Sequence, residues 1–286
     1  MTGNWSVDEQ FEIIRALGVP GAFDAEREAR ERIAFLAGYL RQANARAYVL
    51  GISGGVDSLT AGLLAQAAVR ALREDGYLAQ FIAVRLPYGT QADEAAAREC
   101  LAVINPDLGL EANVKPAADA LFTEVRKSAG DLFGTARDDF HLGNVKARQR
   151  MIYQYAIAGA ANGLVIGTDH AAEALMGFFT KHGDGAADVV PLSGLNKRRV
   201  RAIATYMGAP SDLVSKVPTA DLETDAPLKP DEEVYGIGYD AIDDFLEGKT
   251  ISKSAAERIL AAYRGSGHKR ALPIGPAFGA DPAAAP

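Results

Sequence analysis

The six residues Ser53-Gly54-Gly55-Val56-Asp57-Ser58 stand where an apolar run over 47–52 gives way to a helical pattern over 59–73. A strand that feeds straight into a helix through paired glycines restricts the chain to an α/β architecture. The glycines let the backbone turn tightly and approach a ligand, while the helix start offers unpaired N–H groups and the positive end of its dipole. The guest that suits such a turn is an anion. No lysine follows the glycines as it does in the P-loop, and the spacing is not G-x-G-x-x-G, so neither of those nucleotide loops is present. Taken alone, the six residues also allow a plain turn in which Asp57 or Ser58 caps the helix.

Residues 5–17 and 24–43 read as two amphipathic helices ahead of the loop, the second with an apolar stripe of Ile33, Phe35, Leu36, Tyr39 and Leu40. Beyond the loop, short apolar runs at 81–86, 110–114 and 164–166 alternate with helical segments near 91–103, 116–129 and 144–161. This alternation predicts a single domain built on a doubly wound parallel sheet flanked by helices on both faces. Ligands of such sheets bind beyond the carboxyl ends of the strands. Ser53 follows one strand there, and Gly167-Thr168-Asp169-His170 follows another.

After Gly177 come a Gly- and Asp-rich loop over 180–188 and a basic helix over 196–207. An aperiodic stretch over 216–230 is a candidate lid. Two more helices are expected over 231–246 and 254–263, the latter started by Ser252 or Ser254. The expected layout is N-terminal helices over 1–45, a core domain over 46–272 and a frayed tail over 273–286.

With 286 residues and 48% hydrophobic content, the chain suffices for one large α/β domain. No apolar run approaches a membrane span, and the first ten residues lack the basic and apolar parts of a signal peptide, which predicts a cytoplasmic protein without membrane attachment. Cys100 is the one cysteine, which excludes an intrachain disulfide and a structural cysteine zinc site. A net charge of -7 argues against a nucleic-acid partner, because tracking phosphates takes an excess of Lys and Arg. A small charged metabolite fits better. His141, His170, His182 and His268 lack metal-site spacing, and His170 lies beside the expected site with no evident role.

Four further segments complete a pattern: Asn144-Val145-Lys146-Ala147-Arg148 running on to Tyr155, Gly167 to Glu173, Gly177 through Lys181 and Asp184 to Asp188, and Lys216-Val217-Pro218-Thr219 to Glu223. With the glycine loop, and in this order, they resemble the ammonia-dependent NAD synthetases over about residues 48–270. The loop itself is similar to the pyrophosphatase loop of enzymes that split ATP between its α- and β-phosphates. The resemblance implies a Rossmann-like sheet of the adenine nucleotide α-hydrolase type. It also implies amidation of nicotinic acid adenine dinucleotide by ammonia through an acyl adenylate, with ATP as co-substrate, Mg²⁺ as cofactor and a homodimer with the dinucleotide site at its interface. The helices before residue 46 suit such packing.

Carried over residue by residue, the likeness assigns ATP to Gly51, Ile52, Ser53, Gly54, Gly55, Val56, Asp57, Ser58, Thr168, Lys197 and Thr219, and more loosely to Arg85. Asp57 and Glu173 match the magnesium carboxylates, and two hard oxygens suit that metal. Arg148, Lys181, Asp188, His268 and Lys269 match the positions that bind the dinucleotide. Asp57, Asp184 and Lys197 are the expected catalytic residues, Asp184 as proton acceptor from ammonium and Asp188 as substrate ligand, or the reverse. Phe178 and Phe179 suit either a pocket wall or plain burial, and Tyr153 and Tyr155 either stacking or core packing.

The sequence departs from the pattern in places. Glutamine-using relatives carry a large amidase domain, and only about 50 residues precede this loop, so free or partner-supplied ammonia is expected. His182 stands where the family often has Tyr. Among alternatives, a tRNA-thiolating relative would favour paired cysteines and a basic surface, and a guanylate-amidating one a different C-terminal half. A sensor that holds ATP without turnover would not need both Asp57 and Glu173.

Overall fold

In the computed structural model, residues 7–90, 94–133, 137–220, 229–271 and 273–275 are described. The first half runs α1 (Val7–Ala16), α2 (Ala25–Gln42), β1 (Ala47–Gly51), α3 (Val56–Glu74), β2 (Gln80–Arg85), α4 (Glu94–Ile104), β3 (Leu108–Glu111) and α5 (Lys115–Ala129). After a 3-10 turn at Gly130–Leu132 come α6 (Asp138–Ala160), β4 (Gly163–Val165), α7 (Ala171–Met176), α8 (Lys197–Tyr206) and α9 (Ser211–Ser215). The chain then forms β5 (Thr219–Ala220), β6 (Lys229–Pro230), α10 (Asp231–Tyr235), α11 (Tyr239–Leu246), α12 (Lys253–Gly265) and α13 (Gly267–Arg270).

The main sheet is parallel, with strand order β3-β2-β1-β4. Both of its faces are covered, so side chains that alternate along each strand must be apolar in both directions. Tyr48, Leu50, Phe81 and Ala83 pack into the layer that holds α2, α3 and α8. Ala47, Val49, Ile82, Val84 and Val165 point the other way, toward Ala158 of α6 and its neighbours. Helix α3 lies under two layers, and Leu59, Ala61, Leu64, Ala65, Ala68 and Val69 are fully buried along it. Its lack of a polar stripe reflects that all-round burial. A third cluster joins Ile13 of α1 to α7, α11 and α12.

The chain steps outward from β1 to β2 to β3, then returns across the sheet to lay β4 on the opposite side of β1. The order reverses between β1 and β4, and doubly wound sheets hold their ligands at such a reversal. Among the described residues no helix is long and apolar enough to cross a membrane.

Some expectations are corrected. The strand expected over 110–114 is displaced: β3 lies at Leu108–Glu111, sharing only Leu110 and Glu111 with it, a mostly exposed edge whose sequence carries no continuous apolar run. The helix expected over 144–161 begins at Asp138. The helix expected over 231–246 is two helices, because Gly236 adopts a left-handed φ of 66° and caps α10. Short α7 and α9 were not foreseen, since one turn or so leaves no readable period. The stripe on α2 is divided: Leu36 and Leu40 are buried within the chain, while Phe35 and Tyr39 remain exposed and stacked on each other. Most of the candidate lid, 221–228, lies outside the described residues, as do 276–286 of the expected tail.

Candidate active site

A cavity of about 530 Å³ opens at the carboxyl ends of β1, β2 and β4, with the glycine turn as one wall. The turn is held by its own serines. Ser58 Oγ accepts from the Ser53 N–H at 3.2 Å and donates to Gly55 O at 3.1 Å, and Gly55 N donates to Ser53 Oγ at 3.3 Å. Gly54 has a φ of 87°, and a Cβ on it would stand 2.8 Å from the main-chain nitrogen of Ala97 in α4. Glycine is therefore required there by strain and by space. Gly55 has an extended φ of -91° and lines the cavity, so its missing side chain leaves room for a ligand at the start of α3. Lys216, which also lines the cavity, donates from Nζ to Gly54 O at 3.1 Å.

Asp57, in the first turn of α3, lies against residues from two other helix starts. Lys197 Nζ donates to Asp57 Oδ2 at 2.7 Å and stands 3.2 Å from His170 Nε2. His170 caps α7, its Nδ1 accepting from the Glu173 N–H at 3.4 Å. Its Nε2 faces Asp57 Oδ1 at 3.5 Å and Glu173 Oε1 at 3.7 Å. Lys197 begins α8, where Asn196 caps the helix and Asp243 accepts from the N–H groups of Lys197 and Arg198 at 3.0 and 2.8 Å.

The charges set one another. Burial pushes the Asp57 carboxyl up, but the Lys197 ammonium outweighs it and holds Asp57 below the usual carboxylate range. Burial and the adjacent Asp57 charge drive Glu173 well above its ordinary value. Burial, with Lys197 adding to it, drops His170 to about 3, so the imidazole is neutral. On the far side of Glu173, burial and then Asp184 push Asp169 up to about 7. Asp184 faces the cavity, and the protein packed around it raises its carboxyl; its Oδ1 accepts from the Thr180 N–H at 2.9 Å.

The donor set accepts a hard cation. Asp57, His170 and Glu173 bring one ligand atom each to within 4.8 Å of one another, and Asp57 Oδ1 is buried with no hydrogen-bond partner among the described residues. Two carboxylates with one bare oxygen fit Mg²⁺, which binds a few protein oxygens and keeps its other positions for water and phosphate.

Of the residues expected for ATP, Gly51, Ile52, Ser53, Val56 and Ser58 line the cavity with Gly55 and Asp57. So do Arg85, Thr168 and Thr219 from other elements. Gly54 faces α4, and the guanidinium of Arg85 is engaged by Glu111 at 2.9 Å. Of those expected for the dinucleotide, Lys269 lines the cavity and donates to the carbonyls of Gly177 and Phe179 at 2.8 and 2.9 Å. Arg148 and Lys181 meet beside it, Arg148 Nη2 donating to Lys181 O at 3.3 Å and Lys181 Nζ to His268 O at 2.5 Å. Asp188 stands apart at the edge of β4, where its Oδ2 accepts from the Val165 N–H at 2.7 Å.

Sequence reasoning missed several contributors. Gly143, Ala147, Arg150 and Gln154 line the cavity from one face of α6, and Gln154 Oε1 accepts from Gly51 N at 2.7 Å. Their spacing of four, three and four was the available signal. His170 and Asp231 carried none, because the buried Lys197 that each faces comes from elsewhere in the chain.

The sequence model described as NAD synthase matches residues 28–273. The NH(3)-dependent NAD(+) synthetase of Burkholderia lata is 57% identical over 273 residues, 96% of this chain and 97% of its own. The crystal structure of NAD+ synthetase from Burkholderia pseudomallei superposes with a TM-score of 0.81 at 55% identity, covering 96% of this chain and 100% of that one. The structure of NMN synthetase from Francisella tularensis has a TM-score of 0.78 at 34% identity, with 90% of this chain and 100% of that one covered. A glycine turn, a carboxylate pair and a buried lysine converge at the strand reversal of a fold shared with these proteins, and the chain belongs to the NAD synthase family.

Proposed function

We propose that the chain amidates nicotinic acid adenine dinucleotide with ammonia, using ATP and releasing NAD, AMP and pyrophosphate. The nicotinate carboxylate attacks the α-phosphorus to form an acyl adenylate, and ammonia then displaces AMP from the acyl carbon. The observation that carries this reading is a single cavity joining the glycine turn, the Asp57 and Glu173 carboxylates, Asp184 and Lys269.

A carboxylate is already ionised at neutral pH, so the first step needs no base. It needs charge neutralisation. Two unit charges about 4 Å apart repel by about 4 kcal/mol at an effective dielectric near 20. The Gly55 turn and the start of α3 direct N–H groups at the phosphates, and Lys197 supplies a positive charge beside them. Asp57 and Glu173 would hold Mg²⁺, which when bound neutralises phosphate oxygens. Asp184, with its raised carboxyl, is placed to take the proton from ammonium in the second step. Arg148, Lys181, His268 and Lys269 bind the dinucleotide. The working form is a cytoplasmic homodimer.

The likeness to the NMN synthetase supports a second reading, in which a mononucleotide acid is amidated. One assay separates them. The protein is mixed with ATP, MgCl₂, ammonium chloride and either nicotinic acid adenine dinucleotide or its mononucleotide. NAD with AMP is expected from the dinucleotide, and glutamine in place of ammonium is expected to fail. ADP as the nucleotide product would sink the adenylate chemistry, and preference for the mononucleotide would select the second reading.

A further inference from the structure

Asp231 is 6% exposed, lines the cavity, and leaves its Oδ1 without a hydrogen-bond partner among the described residues. Its Oδ2 accepts from the Tyr239 hydroxyl at 3.0 Å. The ring of that tyrosine lies under Lys197, with Nζ 4.9 Å from the centroid. Asp231 and Lys197 each feel the other's charge. An acidic residue in the first turn of α10 would suit the helix dipole. That accounts for a carboxylate at this position, but not for its burial with one bare oxygen, joined to the tyrosine whose ring underlies a buried ammonium.

Lys197 Nζ holds Asp57 Oδ2 at 2.7 Å, so a divalent cation arriving at Asp57 meets a positive charge already in contact with that carboxylate. Two cations crowded on one carboxylate repel, and the ammonium is the one able to move. Its backbone is fixed by Asp243, so the displacement is confined to the side chain. We infer that Asp231 is a positioning residue for the reaction: it is the carboxylate outside the Asp57 and Glu173 pair toward which the Lys197 ammonium shifts when a divalent cation takes Asp57. Lys197 thereby fills the place of a cation at Asp57 in the resting protein and is released toward the phosphates when metal and nucleotide arrive. The inference rests on the reading of Asp57 as a metal ligand given under Proposed function.

The test is Mn²⁺ binding to the full-length, nucleotide-free protein, followed by the loss of the free-ion paramagnetic resonance signal. Asp231→Asn, isosteric and still able to accept from Tyr239, is expected to weaken Mn²⁺ about tenfold, and less than about twofold when Lys197→Met is already present. Equal losses in the two backgrounds would mean that Asp231 acts on the metal by its own charge, and would overturn the inference, as would no loss at all. If Asp231→Asn does not fold, Tyr239→Phe keeps the ring under Lys197 and removes the hydroxyl that orients Asp231. A loss of about threefold, again absent with Lys197→Met, is then expected, and its absence overturns the proposal. Wild-type Mn²⁺ binding that is indifferent to Asp57→Asn overturns the metal reading and this one together. Failure confined to the Asp231 and Tyr239 variants leaves the metal reading standing.

Discussion

At the phosphate end of the cavity Lys197 is buried against Asp57 and above the Tyr239 ring, whereas at the far rim Arg148, Lys181 and Lys269 donate to main-chain carbonyls. The first arrangement balances charge inside the chain. The second leaves it unbalanced, because a carbonyl dipole orients a cation without cancelling it. A phosphate or carboxylate arriving at the rim gains hydrogen bonds between opposite full charges in place of bonds between a cation and a carbonyl dipole. The two ends therefore call for different losses on mutation: chemistry at the first and substrate affinity at the second.

Asp57→Asn should break the first end most severely. AMP formation is expected to fall by about 10³-fold with the circular dichroism spectrum unchanged, and retained turnover would remove Asp57 from the phosphate chemistry. Gly54→Ala places a Cβ 2.8 Å from the Ala97 nitrogen at a φ of 87°. It should cost about 1–3 kcal/mol in denaturant unfolding. Gly55→Ala meets only Ser53 Oγ at 3.5 Å, so it should spare stability and weaken ATP binding instead. Equal destabilisation by both would show that the two glycines do not divide the work.

Lys269→Ala tests the rim. The KM for the dinucleotide should rise about tenfold with the KM for ATP within about twofold, and a matched rise in both would merge the two ends.

The smallest effect is expected behind the phosphate end. There burial would raise the Glu247 carboxyl, but Lys249, Asn196 and Arg198 together hold it down at about 2. A depressed carboxyl adds stability that is present above its unfolded value near 4.5 and lost as pH falls toward about 2. Thermal unfolding of the wild type should decline over that window more than that of Glu247→Gln. Parallel curves would show that this network does not brace the Asn196 cap.

How much was legible follows from where each signal resides. Strands β1 and β2, covered on both faces, show as unbroken apolar runs, and the glycine turn declares itself because its residues are adjacent. Edge strand β3 does not, since one exposed side removes the run. Lys197 and Asp57 stand 140 positions apart, and nothing local to either names the other. Their joint role was visible only through likeness to a family. His170 went unassigned for the same reason, its meaning residing in the three charged groups around it. Asp188, foreseen as a substrate ligand, has its carboxylate engaged by a strand N–H, a contact no motif announces.

The break at Gly236 has a reach beyond its own turn. Eight residues along an uninterrupted helix are about 12 Å apart. Asp231 and Tyr239 would then sit too far along the axis for an acid and a phenol to join at 3.0 Å. The left-handed glycine folds the segment back and closes that distance, and its own missing Cβ would stand 2.9 Å from the Arg258 guanidinium. A residue that touches no substrate thus sets the aim of a group at the wall, and a methyl added there would be felt first as a misdirected carboxylate.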